Sequence, residues 1–161
     1  MACGYLGGEV SGADEIVAAV RERVERRVDV VKVMASGGMN TAGTDVFAPQ
    51  FSIDNLRLLV EQAHAAGLPV TAHAHAALAV DQAVAVGVQG IEHASYLVRS
   101  TDGSGALQLA GFTDIYATGE QLAFLADSGI AVCPTLGGFT AATFVNVPPQ
   151  MKQLPASRPR R

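Results

Sequence analysis

At 161 residues the chain is long enough for one domain with a core of its own. Hydrophobic residues make up 49% and charged residues 16%, which excludes a disordered chain and fits an α/β protein with a buried sheet. The net charge of −4 gives no basic balance for a nucleic acid, and no apolar run approaches the ~20 residues of a membrane span.

The segment 1–10 is glycine-rich and aperiodic and reads as a loop; it has neither the basic nor the apolar part of a signal peptide. Cys3 and Cys133 are too few and too far apart for a disulfide framework, so the expectation is a cytoplasmic protein with reduced thiols. Ser11 followed by Asp14 resembles a capping box, and Ile16, Val17, Val20 and Val24 recur at helical spacing, predicting a helix over 13–27. The run 29–34 is the first predicted strand, with Val30, Lys32 and Met34 on one face and Val31 and Val33 on the other. A long loop, 35–50, follows and holds Gly37, Gly38, Gly43 and Pro49; loops of this length are often functional.

Ser52 can cap the next helix, whose stripe is Ile53, Leu56, Leu59, Val60 and Ala63, and Gly67 ends it. The second strand is 69–75, with Thr71, His73 and His75 on one face. An alanine-rich helix over 76–86 leads to a third strand, 88–93, with Ile91 and His93 on one face. The segment 97–113 is polar and has no assignable pattern. Thr118 and Gln121 form a second capping box, Gly129 closes that helix, and 130–134 is a fourth strand cut off by Pro134. Residues 1–136 thus read as one α/β domain and 137–161 as an irregular tail rich in proline and basic residues. Strands alternating with helices imply parallel pairing. Four of each make roughly half of a closed (β/α)8 barrel, or a small open doubly wound sheet.

The polar residues at the strand ends carry the chemistry. In a parallel barrel the C-terminal ends of the strands form one rim, where sites are built. Lys32 either snorkels and pairs with a carboxylate such as Glu92, or is desolvated, loses its proton and takes up carbon dioxide as a carbamate able to bridge two metal ions. His73, His75 and His93 lie near the ends of successive strands, and imidazole is a common ligand for zinc and similar ions. His64, on the flank of a helix stripe, has no assigned role. The glycines of 37–43 lack the lysine and hydroxyl of a phosphate loop. Asp45 reads as a turn residue, Glu92 as pointing off the ligand face towards the helices, and Cys133 as a buried structural thiol.

The segments VDVVKVMASGG, FSIDNLRLLVEQAHAAGLPVTAHAH and GVQGIEHASYL together resemble the amidohydrolase superfamily, in the branch holding prolidase-like (Xaa-Pro) dipeptidases and imidazolonepropionase. The resemblance runs from about Tyr5 to Thr135. It implies a partial TIM barrel, roughly its fourth to seventh strands, and a centre of one or two zinc or other divalent ions. Lys32 matches the carbamylated bridging lysine, and His73 and His93 match the histidine ligands of the fifth and sixth strands. His75 and Tyr96 fall at positions beside the metal that would contact substrate. The implied activity is hydrolysis of amide bonds in small peptides or cyclic amides by metal-activated water.

The family's first-strand His-x-His pair and eighth-strand aspartate base have no counterpart here, and GTDVF at 43–47 follows the wrong strand to supply that base. The expectation is therefore a piece of a longer enzyme, weakly active or inactive alone, with exposed sheet edges that favour self-association. The alternative is a non-catalytic α/β binding domain. Neither reading calls for a nucleic acid or a membrane as partner.

Overall fold

The computed structural model of the chain describes residues 8–38, 41, 43–98 and 117–135. The tail 137–161, Cys3 and nearly all of 97–113 lie outside the described residues.

The elements alternate: α1 (Ala13–Glu25), β1 (Val31–Met34), α2 (Ile53–Ala65), β2 (Val70–Ala76), α3 (Ala77–Ala85), β3 (Gly90–Leu97), α4 (Gly119–Asp127) and β4 (Ala131–Cys133). The strands form one sheet in the order β1-β2-β3-β4, every neighbour parallel. This is the α/β order that the spacing of apolar runs predicts, and it corresponds to part of a (β/α)8 barrel.

One face of the sheet meets the helices. Val31 and Val33 of β1, Val70, Ala72, Ala74 and Ala76 of β2, and Ile91 of β3 are all buried there. They pack with Ile16 and Val20 of α1, Leu56, Leu59, Val60 and Ala63 of α2, and Ala79, Val80 and Ala83 of α3. The side chains of β2 and α3 on this face are small, and most of the fully buried residues gather around these two elements, at the centre of the sheet.

The core thins towards β4. None of the residues of α4 is buried, and all three of β4 are exposed. Cys133, expected as a buried thiol, is exposed for this reason: among the described residues β4 has a neighbour on one side alone and little helix above it. Leu122, Phe124 and Val132 are large apolar side chains left open in the same region.

Of the three caps expected from the sequence, two form. The Ser52 hydroxyl accepts from the Asn55 N–H, and Thr118 and Gln121 complete a reciprocal capping box. At α1 the expected box does not form. Gly12 is the N-cap, with no side chain to offer, and the Glu15 carboxylate instead accepts the Ser11 N–H at 2.6 Å. No helix among the described residues is long and apolar enough to cross a membrane.

Candidate metal centre

The C-terminal half of β2 is stitched to the loop after β1. The His73 carbonyl accepts N–H groups from Ala35 at 2.9 Å and Ser36 at 3.3 Å. The Ser36 hydroxyl, fully buried, accepts the His75 N–H at 2.8 Å and donates to the Gly37 carbonyl at 3.1 Å. The loop then folds back on itself: Gly37 donates to the Asp45 carbonyl, and Gln50 closes the base by donating to the carbonyls of Ala35, Met34 and Ser36. Asp45 is the turn residue expected, its carboxylate accepting the Phe47 N–H at 3.0 Å.

Removing the Ser36 hydroxyl should therefore be felt in the backbone. Ser36→Ala leaves the buried His75 N–H without its acceptor and is expected to cost about 1–3 kcal/mol. Urea unfolding of the variant checks this; an unchanged midpoint would mean that water replaces the hydroxyl.

Three histidines converge above this anchor. His73 and His75 are buried and His93 is half-buried, and one ligand atom from each lies within 4.8 Å of the others. The His75 and His93 rings stack with centroids 4.2 Å apart, and His73 stands edge-on to both at 4.7 Å. Alternation alone would have put His93 beside Ile91. Instead Ile91 is in the helix-side core and Glu92 faces Lys32, so the expected faces of Glu92 and Ile91 are corrected. The reason is a break in the strand. His93 and Ala94 have φ of 72° and 47°, a left-handed step that swings the His93 ring back over the sheet to join His73 and His75. The pairing of β2 with β3 shifts register just beyond it.

Each ring has one nitrogen already engaged. His73 Nε2 donates to the Gly37 carbonyl at 3.3 Å, His75 Nδ1 meets Ser95 Oγ at 3.0 Å, and His93 Nδ1 meets Thr135 Oγ1 at 2.6 Å. Burial pushes all three imidazoles below their ordinary pKa. For His75 the drop is to about 3, with burial first and the neighbouring His93 and His73 adding to it. The cluster is thus neutral at pH 7, each ring with a lone pair to give.

Lys32 pairs with Glu92 across β2, and each is about one-third exposed. His64, given no role, bonds Gln89 at 2.9 Å on the outside. Tyr96 is placed elsewhere: its ring is in the core, and its hydroxyl lies 3.4 Å from the Gln121 carbonyl of α4. Ser36, Ser95 and Thr135 were missed by sequence reasoning. Ser95, two residues past His93 in the same run, was within reach of the pattern; nothing local marks Ser36 or Thr135 as neighbours of histidines 39 and 42 positions away.

The donor set can be tested against a divalent ion. Zinc–nitrogen bonds of ~2.0–2.1 Å put two nitrogens on one tetrahedral ion about 3.3 Å apart. The observed spread of up to 4.8 Å is wider than that, so the rings would have to draw together around an ion; three neutral imidazoles suit zinc and its neighbours.

Parallel strands with helices on one face and polar groups gathered at the C-terminal ends define a segment of a (β/α) barrel. The chain belongs to the amidohydrolase family, whose model matches residues 3–141. It is 36% identical over 97 residues to ochratoxinase from Aspergillus niger, an alignment covering 58% of this chain and 20% of that protein. The crystal structure of the A. niger ochratoxinase superposes with a TM-score of 0.62 at 28% identity, over 78% of this chain and 25% of the other. A Xaa-Pro dipeptidase with methionine bound in its active site gives 0.65 at 26% identity, over 83% and 29%. A further amidohydrolase gives 0.66 at 30% identity, over 91% and 32%. The chain thus spans about a fifth of the curated relative's length.

Proposed function

We propose that this chain carries part of the metal centre of an amide-bond hydrolase, with His73, His75 and His93 as ligands to a divalent ion and Lys32 beside them. The observation that carries the reading is the convergence of three neutral imidazoles, from two strands, at the C-terminal rim of a parallel sheet. The geometry favours His75 as a ligand alongside His73 and His93, where the family resemblance alone gives it a substrate contact. A bound ion would supply polarisation of an amide carbonyl and a water nucleophile active at neutral pH.

The chain's own residues set the conditions for that chemistry. Burial keeps the three rings unprotonated, so an ion need not displace protons at pH 7. The Gly37 carbonyl fixes the proton of His73 on Nε2 and leaves Nδ1 free. The Lys32 amine is engaged by the Glu92 carboxylate and must part from it before it can form a carbamate, so the ion pair and the carbamylated state exclude one another. The substrates in view are small peptides, Xaa-Pro dipeptides among them as the dipeptidase relative suggests, or cyclic amides. The general base that the resemblance names has no counterpart in the sequence, so slow turnover is expected of this chain by itself. Exposed apolar residues near β4 support self-association.

Elemental analysis of the purified chain, with its size in solution, is the test. Zinc or a similar ion near one per chain is expected, and it should fall away in His73→Ala and His93→Ala while the helical circular dichroism persists. No metal in the wild-type chain after equilibration with zinc would sink the reading. Retention of metal by both variants would move the site elsewhere.

A further inference from the structure

Thr135 lies just beyond β4, after Pro134, and two independent observations meet at it. Its Oγ1 is 2.6 Å from His93 Nδ1, a contact that ties the ends of the paired strands β3 and β4. Its backbone is in the left-handed region, with φ of 52°, where a β-branched residue is rarely found. Glycine or asparagine would occupy that conformation with less strain. Strain of this kind persists where the surroundings over-determine the residue, and it clusters at functional sites.

We propose that Thr135 is a positioning residue of the histidine cluster: its hydroxyl holds Nδ1 of His93 and so turns Nε2 of that ring towards His73 and His75. The proposal rests on the reading of the cluster as a metal centre. A histidine that gives one nitrogen to a metal carries its proton on the other, and a neighbour that accepts this N–H fixes both tautomer and ring orientation. A hydroxyl suits the task in both states. It donates to a bare Nδ1 before an ion arrives and accepts from Nδ1–H afterwards. Ser95 stands in the same relation to His75, so two of the three rings are held by hydroxyls, while His73 is held by a carbonyl that accepts alone.

The test uses the whole chain with 15N-labelled histidine, as wild type and as Thr135→Ser, Thr135→Val and Thr135→Gly. Ring nitrogen shifts are read without metal, and zinc affinity is then measured against a chromophoric chelator. Thr135→Ser is expected to keep the wild-type shifts of His93 and of His75 stacked on it, and the wild-type affinity. Thr135→Val and Thr135→Gly should shift both rings and weaken zinc by about 10-fold or more. Thr135→Gly relieves the backbone, so it should melt no lower than wild type, and its loss of zinc cannot be put down to unfolding. Unmoved rings in Thr135→Val and Thr135→Gly, or a Thr135→Ser that behaves like Thr135→Val, overturn the proposal. If the rings move as expected but the wild-type chain holds no zinc, the role of Thr135 at His93 stands and the metal-centre reading is what fails.

Discussion

Gly37→Ala is expected to destabilise the fold by about 3 kcal/mol, at the upper end of what overpacking usually costs. A Cβ at Gly37 would lie 2.3 Å from the Asp45 carbonyl oxygen, 2.4 Å from its carbon and 2.7 Å from the Asp45 nitrogen. All three are backbone atoms, so no rotamer change relieves the clash. The obstruction falls where the Gly37 N–H already bonds the Asp45 carbonyl at 3.2 Å. Forcing the strands of the loop apart would also carry away the Gly37 carbonyl that faces His73. Gly38→Ala makes a useful contrast. Its nearest obstacle is the Thr41 hydroxyl at 2.7 Å, which can swing aside, so its cost should be smaller. Denaturant midpoints of the two variants decide the matter. A wild-type midpoint in Gly37→Ala would show that the loop base is pliable and does not fix the histidines.

Acid should unfold the metal-free chain earlier than its carboxylates alone would predict. His75 is 5% exposed, and its folded pKa is pushed from 6.5 to about 3. Between those values the unfolded chain binds a proton that the folded chain refuses. Stability is therefore full above the unfolded pKa and falls as the pH drops, by about 1.4 kcal/mol per pH unit from this ring. From pH 6 to pH 4 the loss is about 3 kcal/mol, a large share of a typical stability of about 5–15 kcal/mol. His73 and His93, also lowered by burial, add with the same sign. Urea midpoints at pH 7, 5 and 4 for wild type and His75→Gln isolate the His75 share as the difference in slope. Equal slopes would mean that His75 is not held neutral by burial.

Much of this site could be read along the chain because β1 and β2 keep strict alternation. Val31 and Val33 go to the helices and Lys32 to the other face, and His73 and His75 fall on one side of β2 with Ala72, Ala74 and Ala76 on the other. Period two is a local property of an extended backbone, and the buried helix-side face enforces it. At β3 the same rule misleads. It pairs Ile91 with His93 and sends Glu92 to the helices, whereas Ile91 faces the helices, Glu92 meets Lys32 on the other side, and the left-handed backbone at His93 brings that ring to the other two histidines. No residue type announces that step, since neither histidine nor alanine favours it as glycine would. The exposure of Cys133 was equally hidden, because an apolar tripeptide such as AVC looks the same in a central strand and at an open edge.

By itself, then, the sequence determined the α/β order, the parallel sheet, the helix-side core and the family, and it singled out Lys32 and the three histidines. These follow from hydrophobic period, turn residues and short motifs, all of which act over a few neighbouring positions. Tertiary structure alone decided that Lys32 is closed by Glu92, that His93 turns to stand with His73 and His75, and that Ser36 and Thr135 hold histidines far along the chain. Those outcomes depend on register between strands and on the reversed backbone at His93, Ala94 and Thr135. Both are set by the packing of the whole sheet, which no local stretch of residues encodes.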